Sequence, residues 1–258
     1  MLEYIIICLI ALLASGLTFF SGFGLGTILL PVFALFFPVE LSVALVAIVH
    51  FLNNLFKLSL IGKKASKQVL LKFGSTAIIA AFAGAYLLTL LSETGSLLTY
   101  TLSGREFEVT PLKLVIAFLL FVFALLDLVP KLVKLNFDRR YLPLGGALSG
   151  FFGGLSGHQG ALRTAFLIRA GLSKEAFIGT GIAISVLIDI SRLAVYSTDI
   201  LKTRDQIDYN LLLAATLSAF VGAVIGNKLL RKITIEKLHL AVGTMLLVFS
   251  LLLGLGIV

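Results

Sequence analysis

Arg163 stands in an apolar run just beyond the polar break Ser156-Gly157-His158-Gln159-Gly160. An arginine at membrane depth costs about 3 kcal/mol by insertion scales, so it marks a substrate path or an ion pair. Its planar guanidinium can meet an oxyanion with two parallel hydrogen bonds. The structural alternative is an arginine that snorkels to a surface or pairs with a nearby carbonyl. His158 and Gln159 sit in the break itself. They either line a cavity, with His158 able to take and return a proton, or satisfy the carbonyls that a helix break leaves open. Ser156, Gly157 and Gly160 frame them, and Ser21, Gly22 and Gly24 form a similar Gly-rich interruption earlier in the chain. Glycine there allows close helix approach and unwound backbone whose N–H groups can face an anion, aided by the partial positive charge of a helix N-terminus.

A second constellation follows each interruption. His50, Asn53, Asn54 and Lys57 fall at i, i+3, i+4 and i+7, which is one helical face. Ser185, Asp189 and Arg192 make the corresponding face later in the chain. Polar stripes within membrane helices face the bundle interior or water. These seven residues are expected to line a route or couple an ion, with Asp189 and Arg192 close enough along the helix to neutralise each other. The alternative is a purely structural stripe that glues helices together, with Lys57 snorkelling to the membrane edge. His239 is expected at an interface.

No catalytic, metal-binding or cofactor-binding group is expected. There is no HExxH, no Cys/His cluster, no nucleophile elbow and no P-loop. Gly22, Gly24 and Gly26 have the wrong spacing for dinucleotide binding and no surrounding strand–helix unit. The single cysteine, Cys8, permits no internal disulfide.

These residues must be positioned by membrane helices. The chain is 59% hydrophobic and only 13% charged, with a mean hydropathy of +1.09. Soluble domains average about a quarter charged residues, so this composition cannot cover a water-facing surface. Repeated apolar runs imply an all-α polytopic protein in a lipid bilayer. The net charge of +8 does not point to nucleic acid, because the basic residues cluster between apolar segments. Lys63–Lys72, Lys131–Arg140 and Lys228–Lys237 read as loops on the cytoplasmic side. The N-terminal stretch MLEYIIICLIALLASG carries Glu3 and no basic leader, so a cleaved signal peptide is not expected.

Self-comparison indicates two repeats, residues 1–130 and 131–258, within a single membrane domain. At an offset of 135 residues, Ser21-Gly22 falls on Ser156-Gly157, Glu40 on Glu175, Asn54 on Asp189 and Lys57 on Arg192. AFAGA at 81–85 matches AFVGA at 219–223. Segments 4–20 with 23–37, and 142–156 with 159–171, are short and interrupted; each pair is either a hairpin of half-helices or one broken span. Keeping all basic clusters on one side requires 142–171 to turn back. Each half is then a hairpin plus three spans, the halves are inverted, and both termini lie on the extracytoplasmic side. Inverted repeats with matched interruptions are a transporter pattern.

The motifs SGFGLGTILLP at 21–31 and GGLSGHQGALRTAFLI at 153–168 resemble the sulfite exporter TauE/SafE family of small bacterial membrane proteins, over nearly the full chain. That resemblance implies secondary transport of small sulfur-containing anions (sulfite, sulfoacetate or other organosulfonates), with export coupled to an ion gradient such as a proton gradient. It also implies a multi-pass protein of the bacterial inner membrane. The chain departs from the family's Gly-rich pattern at Leu25. Ile28 stands at the repeat equivalent of Arg163, so the cationic anchor belongs to the second half alone. A passive anion channel and a non-transporting membrane scaffold are the competing readings.

Overall fold

A backbone in lipid must satisfy its own hydrogen bonds, and the chain does so almost entirely with helices. The computed structural model describes residues 1–21, 24–133, 135–229 and 235–258, without the side chains of 20, 21, 130, 133, 229 and 235–238. Gly22 and the side chain of Ser21, both expected at the first interruption, therefore lie outside the described residues, as do Lys134, Arg231 and Lys232 and the side chain of Lys237 from the basic clusters.

The first half comprises α1 (Leu2–Ser21), α2 (Leu25–Ala34), α3 (Val39–Ile61), α4 (Lys67–Val69), α5 (Ser75–Ser92) and α6 (Pro111–Leu128). A π-helical turn, Leu70–Gly74, fuses α4 to α5 into one continuous apolar rod, Lys67–Ser92. The short α7 (Pro130–Val133) leads to the second half: α8 (Leu142–Ser156), α9 (Gly160–Leu167), α10 (Lys174–Lys202), α11 (Tyr209–Leu229) and α12 (Ile235–Gly254). Among the described residues, six helices are long and apolar enough to cross a membrane: α1, α3, the α4–α5 rod, α6, α10 and α11. Local signals set several starts. Thr110 caps α6 by accepting from the Lys113 N–H, with Pro111 at the first position. Ser173 caps α10 the same way through Ala176.

The second interruption is a hairpin. α8 ends at Gly157, whose φ of +79° is left-handed and suits glycine. α9 then runs back along α8: Phe166 stacks on Phe137 just before α8, with centroids 4.3 Å apart, and the Phe137 N–H donates to the Ala165 carbonyl at 3.1 Å. A single broken span is thereby excluded for this segment. The first interruption differs from the expectation of equal short halves. α1 has 20 residues against 15 in α8, and its span Leu2–Phe19 is long enough to cross the membrane by itself. Pro143, at the start of α8, cannot continue a helix from upstream.

Packing between the halves follows an exchange pattern. α1 lies along α11, while α5 lies along α8; α3 packs on α10, and α6 on α12. Swapping the repeat equivalents turns each pairing into another or into itself. Glycine makes both exchanged contacts. A Cβ on Gly84 of α5 would fall on the Phe151 carbonyl oxygen of α8, and one on Gly222 of α11 would fall on the Leu12 carbonyl oxygen of α1. These are the glycines of the two AF-x-GA motifs. Gly150 of α8 meets Ala77 of α5 just as closely. Gly150→Ala should therefore force α5 and α8 apart, at about 1–3 kcal/mol for overpacking. The check is a lowered thermal midpoint in detergent, against Gly95→Ala, whose added methyl meets nothing within 4 Å.

One element adds to the helical expectation. Residues between α5 and α6 form an antiparallel hairpin, β1 (Leu98–Leu102) and β2 (Arg105–Val109), in register Leu98 with Val109. Its two-residue turn, Ser103-Gly104, has positive φ at both positions, which matches the twist of the strands. Tyr100 donates to the Leu255 carbonyl at 2.6 Å. Tyr4 donates to Asp208 at 2.5 Å, a bond that holds the Asp208 carboxyl below the usual carboxylate range. Both chain ends thus sit at the hairpin end of the bundle.

Candidate functional site

α3 and α10 meet along their polar stripes, and the stripes interlock. His50 Nδ1 lies 2.7 Å from Asp189 Oδ2. Asn54 donates to the same oxygen at 3.3 Å. Arg192 Nε donates to Asp189 Oδ1 at 2.9 Å, and Nη2 lies 2.7 Å from that oxygen. Asn54 and Asp189 are repeat equivalents in direct contact, so the network lies where the halves exchange. All four side chains are buried.

Lys57 does not snorkel. It is 4% exposed, donates to the Ser15 carbonyl at 3.2 Å and sits 5.4 Å from the Phe19 ring centroid. Asn53 turns behind it, its amide donating to the Ala219 carbonyl and its oxygen accepting from Lys57, each at 3.2 Å. Arg163, 7% exposed, is likewise held inside rather than at a surface. It donates to the Ser185 hydroxyl of α10 and, at 3.4 Å, to Gln159 Oε1.

His50, Asn54, Lys57, Arg163 and Ser185 surround one small cleft. Its polar lining is His50, Asn54 and Lys57 from α3, Arg163 and Thr164 from α9, Ser185 from α10 and Thr18 from α1. Gly24 and Leu25 bring the start of α2 to the same cleft; a Cβ on Gly24 would lie 3.5 Å from His50 Nε2. Lys57 near the end of α3, and Phe177 and Ile178 near the start of α10, place it toward the end of the bundle that carries Lys63, Lys64 and Lys67. Among the described residues in and beside the cleft, three cations (Lys57, Arg163, Arg192) meet one carboxylate (Asp189). Buried like charges are costly, so such a cleft favours an anion and has donors ready for its oxygens.

The break residues take a different place. Ser156, Gly157, Gln159 and Gly160 form the turn behind Arg163 and do not line the cleft. Ser156 Oγ bonds the Phe152 carbonyl. Gly157 abuts Arg192, where a Cβ would lie 2.8 Å from Nη1. Arg192 Nη1, Gln159 Nε2 and His158 Nε2 are buried without a hydrogen-bond partner among the described residues. His158 points away from the cleft, into a smaller cavity with Thr27, Phe123 and Asp127.

Three residues in or beside the cleft escaped sequence reasoning, and so did one in a separate cavity, Asp127. Thr18, Thr164 and Tyr196 look like ordinary residues of apolar segments. Tyr196, buried on the hairpin side of Arg192, ties α10 to α8 by donating to the Gly154 carbonyl. Asp127 did carry a signal, a lone carboxylate within the apolar run 112–130, but its place at the end of the run makes it look like a boundary residue.

No curated protein and no solved structure matches the chain. Among protein families, the one described as Sulfite exporter TauE/SafE matches residues 7–253, which spans both interruptions, both polar stripes and Arg163. The chain therefore belongs to the sulfite exporter TauE/SafE family, whose members transport anions across membranes.

Proposed function

We propose that the protein is a secondary transporter of small sulfur-containing oxyanions, exporting them from the bacterial cytoplasm across the inner membrane against or with a proton gradient. The observation that carries this reading is the cationic excess of the cleft: Lys57 and Arg163 line it, and the carboxylate beside it, Asp189, is already paired with Arg192. The anion sits between Arg163, Lys57 and the Ser185 hydroxyl, with the N-terminus of α2 opposite. Under the positive-inside rule, the cleft end with Lys63, Lys64 and Lys67 is cytoplasmic, and both termini are extracytoplasmic. The exchange pattern of helix contacts is what two inverted repeats would produce, and rocking of one half against the other would expose the cleft alternately.

The test is uptake into proteoliposomes of labelled sulfite, sulfoacetate, sulfate and taurine, with and without an imposed pH gradient. Anions should move and zwitterionic taurine should be disfavoured, because it brings no net negative charge to a cationic cleft. If none of the four moves under either condition, the sulfur-anion reading fails. Conduction that merely follows the anion's own gradient would favour a passive channel.

A further inference from the structure

α9 separates two different environments. Arg163 and Leu167 face the anion cleft, Ala161, Leu162, Ala165 and Phe166 line a mainly apolar cavity on the other side, and Thr164 borders both. At the polar end of that second cavity, Asp127 of α6 pairs with His239 of α12, Oδ1 to Nδ1 at 3.1 Å. Asp127 also lines the small cavity that holds His158, together with Thr27, Gly160 and Ala161. The side chain of Asp127 is 2% exposed and that of His239 is 17% exposed. Only the outer member of the pair, His239, reaches the protein surface. A buried ionisable pair inside a membrane bundle, apart from the substrate cleft, is a functional site by default.

We propose that His239, Asp127 and His158 form a proton-loading site on the face of α9 opposite Arg163, so that the coupled proton and the anion use different sides of one short helix. This inference rests on the transport reading above.

The chemistry follows from hydrogen-bond roles. His158 Nδ1 lies 3.0 Å from the Ser156 carbonyl, which can only accept, so Nδ1 carries the proton and Nε2 of the neutral ring holds a lone pair. That Nε2 is buried and has no hydrogen-bond partner among the described residues. The His239–Asp127 pair holds one proton between them. A second proton, entering at His239, leaves the imidazole protonated and Asp127 as the carboxylic acid. Transfer from Asp127 to His158 Nε2 restores the carboxylate and makes an imidazolium at the break. Gln159 is the next residue, and its oxygen accepts from Arg163, which links the proton's arrival to the anion's anchor.

The cleft carboxylate is less suited to this task. Asp189 is engaged by Arg192 and His50 at once, so protonating it would leave a buried guanidinium without its counter-charge. Among the described side chains, those facing Asp127 are otherwise uncharged, while His158 lies within the field of Arg192 of α10. α2 and α5, which pack on α12 and α6, carry no ionisable side chain facing it. α9 contributes only Arg163, directed to the other cavity, and Lys131 of α7 is exposed.

The experiment compares wild type with Asp127→Asn and His239→Gln in proteoliposomes, measuring labelled sulfite in two modes. One mode is exchange at equal concentrations without a pH gradient; the other is accumulation driven by a gradient of one pH unit. With one proton per anion, that gradient sustains up to about tenfold accumulation in the wild type. Both variants should keep exchange, which also reports that they fold, and lose accumulation. Accumulation at the wild-type ratio in either variant overturns the inference. So does a wild type that exchanges sulfite but ignores the pH gradient, in which case the anion site stands. A wild type that moves no anion in either mode overturns the transport reading itself.

Discussion

Arg163→Ala should abolish binding and transport of sulfite while leaving the protein as stable as the wild type, or more so. The arginine is buried in the wall of the cleft, where it donates to the Ser185 hydroxyl and the Gln159 amide oxygen. Removing it relieves like-charge crowding with Lys57 but also ends an attraction to Asp189, and these opposed effects leave the fold's stability little changed. The anion loses a desolvated, charge-assisted contact of about 2–5 kcal/mol, which is roughly thirtyfold or more in affinity. Arg163→Lys keeps the charge but not the planar fork, so its loss should be intermediate. Calorimetric titration of the detergent-solubilised protein with sulfite, alongside its thermal midpoint, separates the two effects. Sulfite affinity unchanged in Arg163→Ala would remove the anchor from the site, and a cellular phenotype that survives the substitution would favour a scaffold.

Asp189→Asn should have the opposite signature, a large loss of stability even without any anion. Asp189 holds Arg192 through two nitrogens, His50 through Nδ1 and Asn54 through its amide, all in a fully buried setting. Breaking a buried pair by removing one partner costs about 3–5 kcal/mol, because the remaining charge is left uncompensated. The double variant Asp189→Asn with Arg192→Met removes both charges and should recover most of the lost thermal midpoint. A single variant as stable as the wild type would mean that the carboxylate is not the counter-charge of Arg192. Together these two outcomes would divide the cationic stripe into its parts, with Arg192 in the fold's neutral pair and Arg163 serving the ligand.

Much of the site was legible because membrane helices leave so few places for polar residues. The spacing of His50, Asn54 and Lys57 on one helical face, and of Ser185, Asp189 and Arg192 on another, follows from 3.6 residues per turn and needs no tertiary information. Their convergence on one cleft does. The break residues show the limit of such reading. Ser156, Gly157, His158 and Gln159 were expected beside the anion because they are polar and interrupt a helix. Yet a chain that reverses at Gly157 sends alternate side chains to different sides, and His158 went to the cavity of Asp127 instead.

Composition and apolar length therefore determined that this is a polytopic helical membrane protein, because apolar runs act locally along the chain. Only the tertiary structure decided that α8 and α9 form a hairpin, that Asn54 and Asp189 touch across the exchanged halves, and that Asp127 and His239 make a second ionisable site. Those facts depend on which helix face meets which neighbour, and close glycine contacts between distant segments, such as Gly84 on Phe151, set that choice.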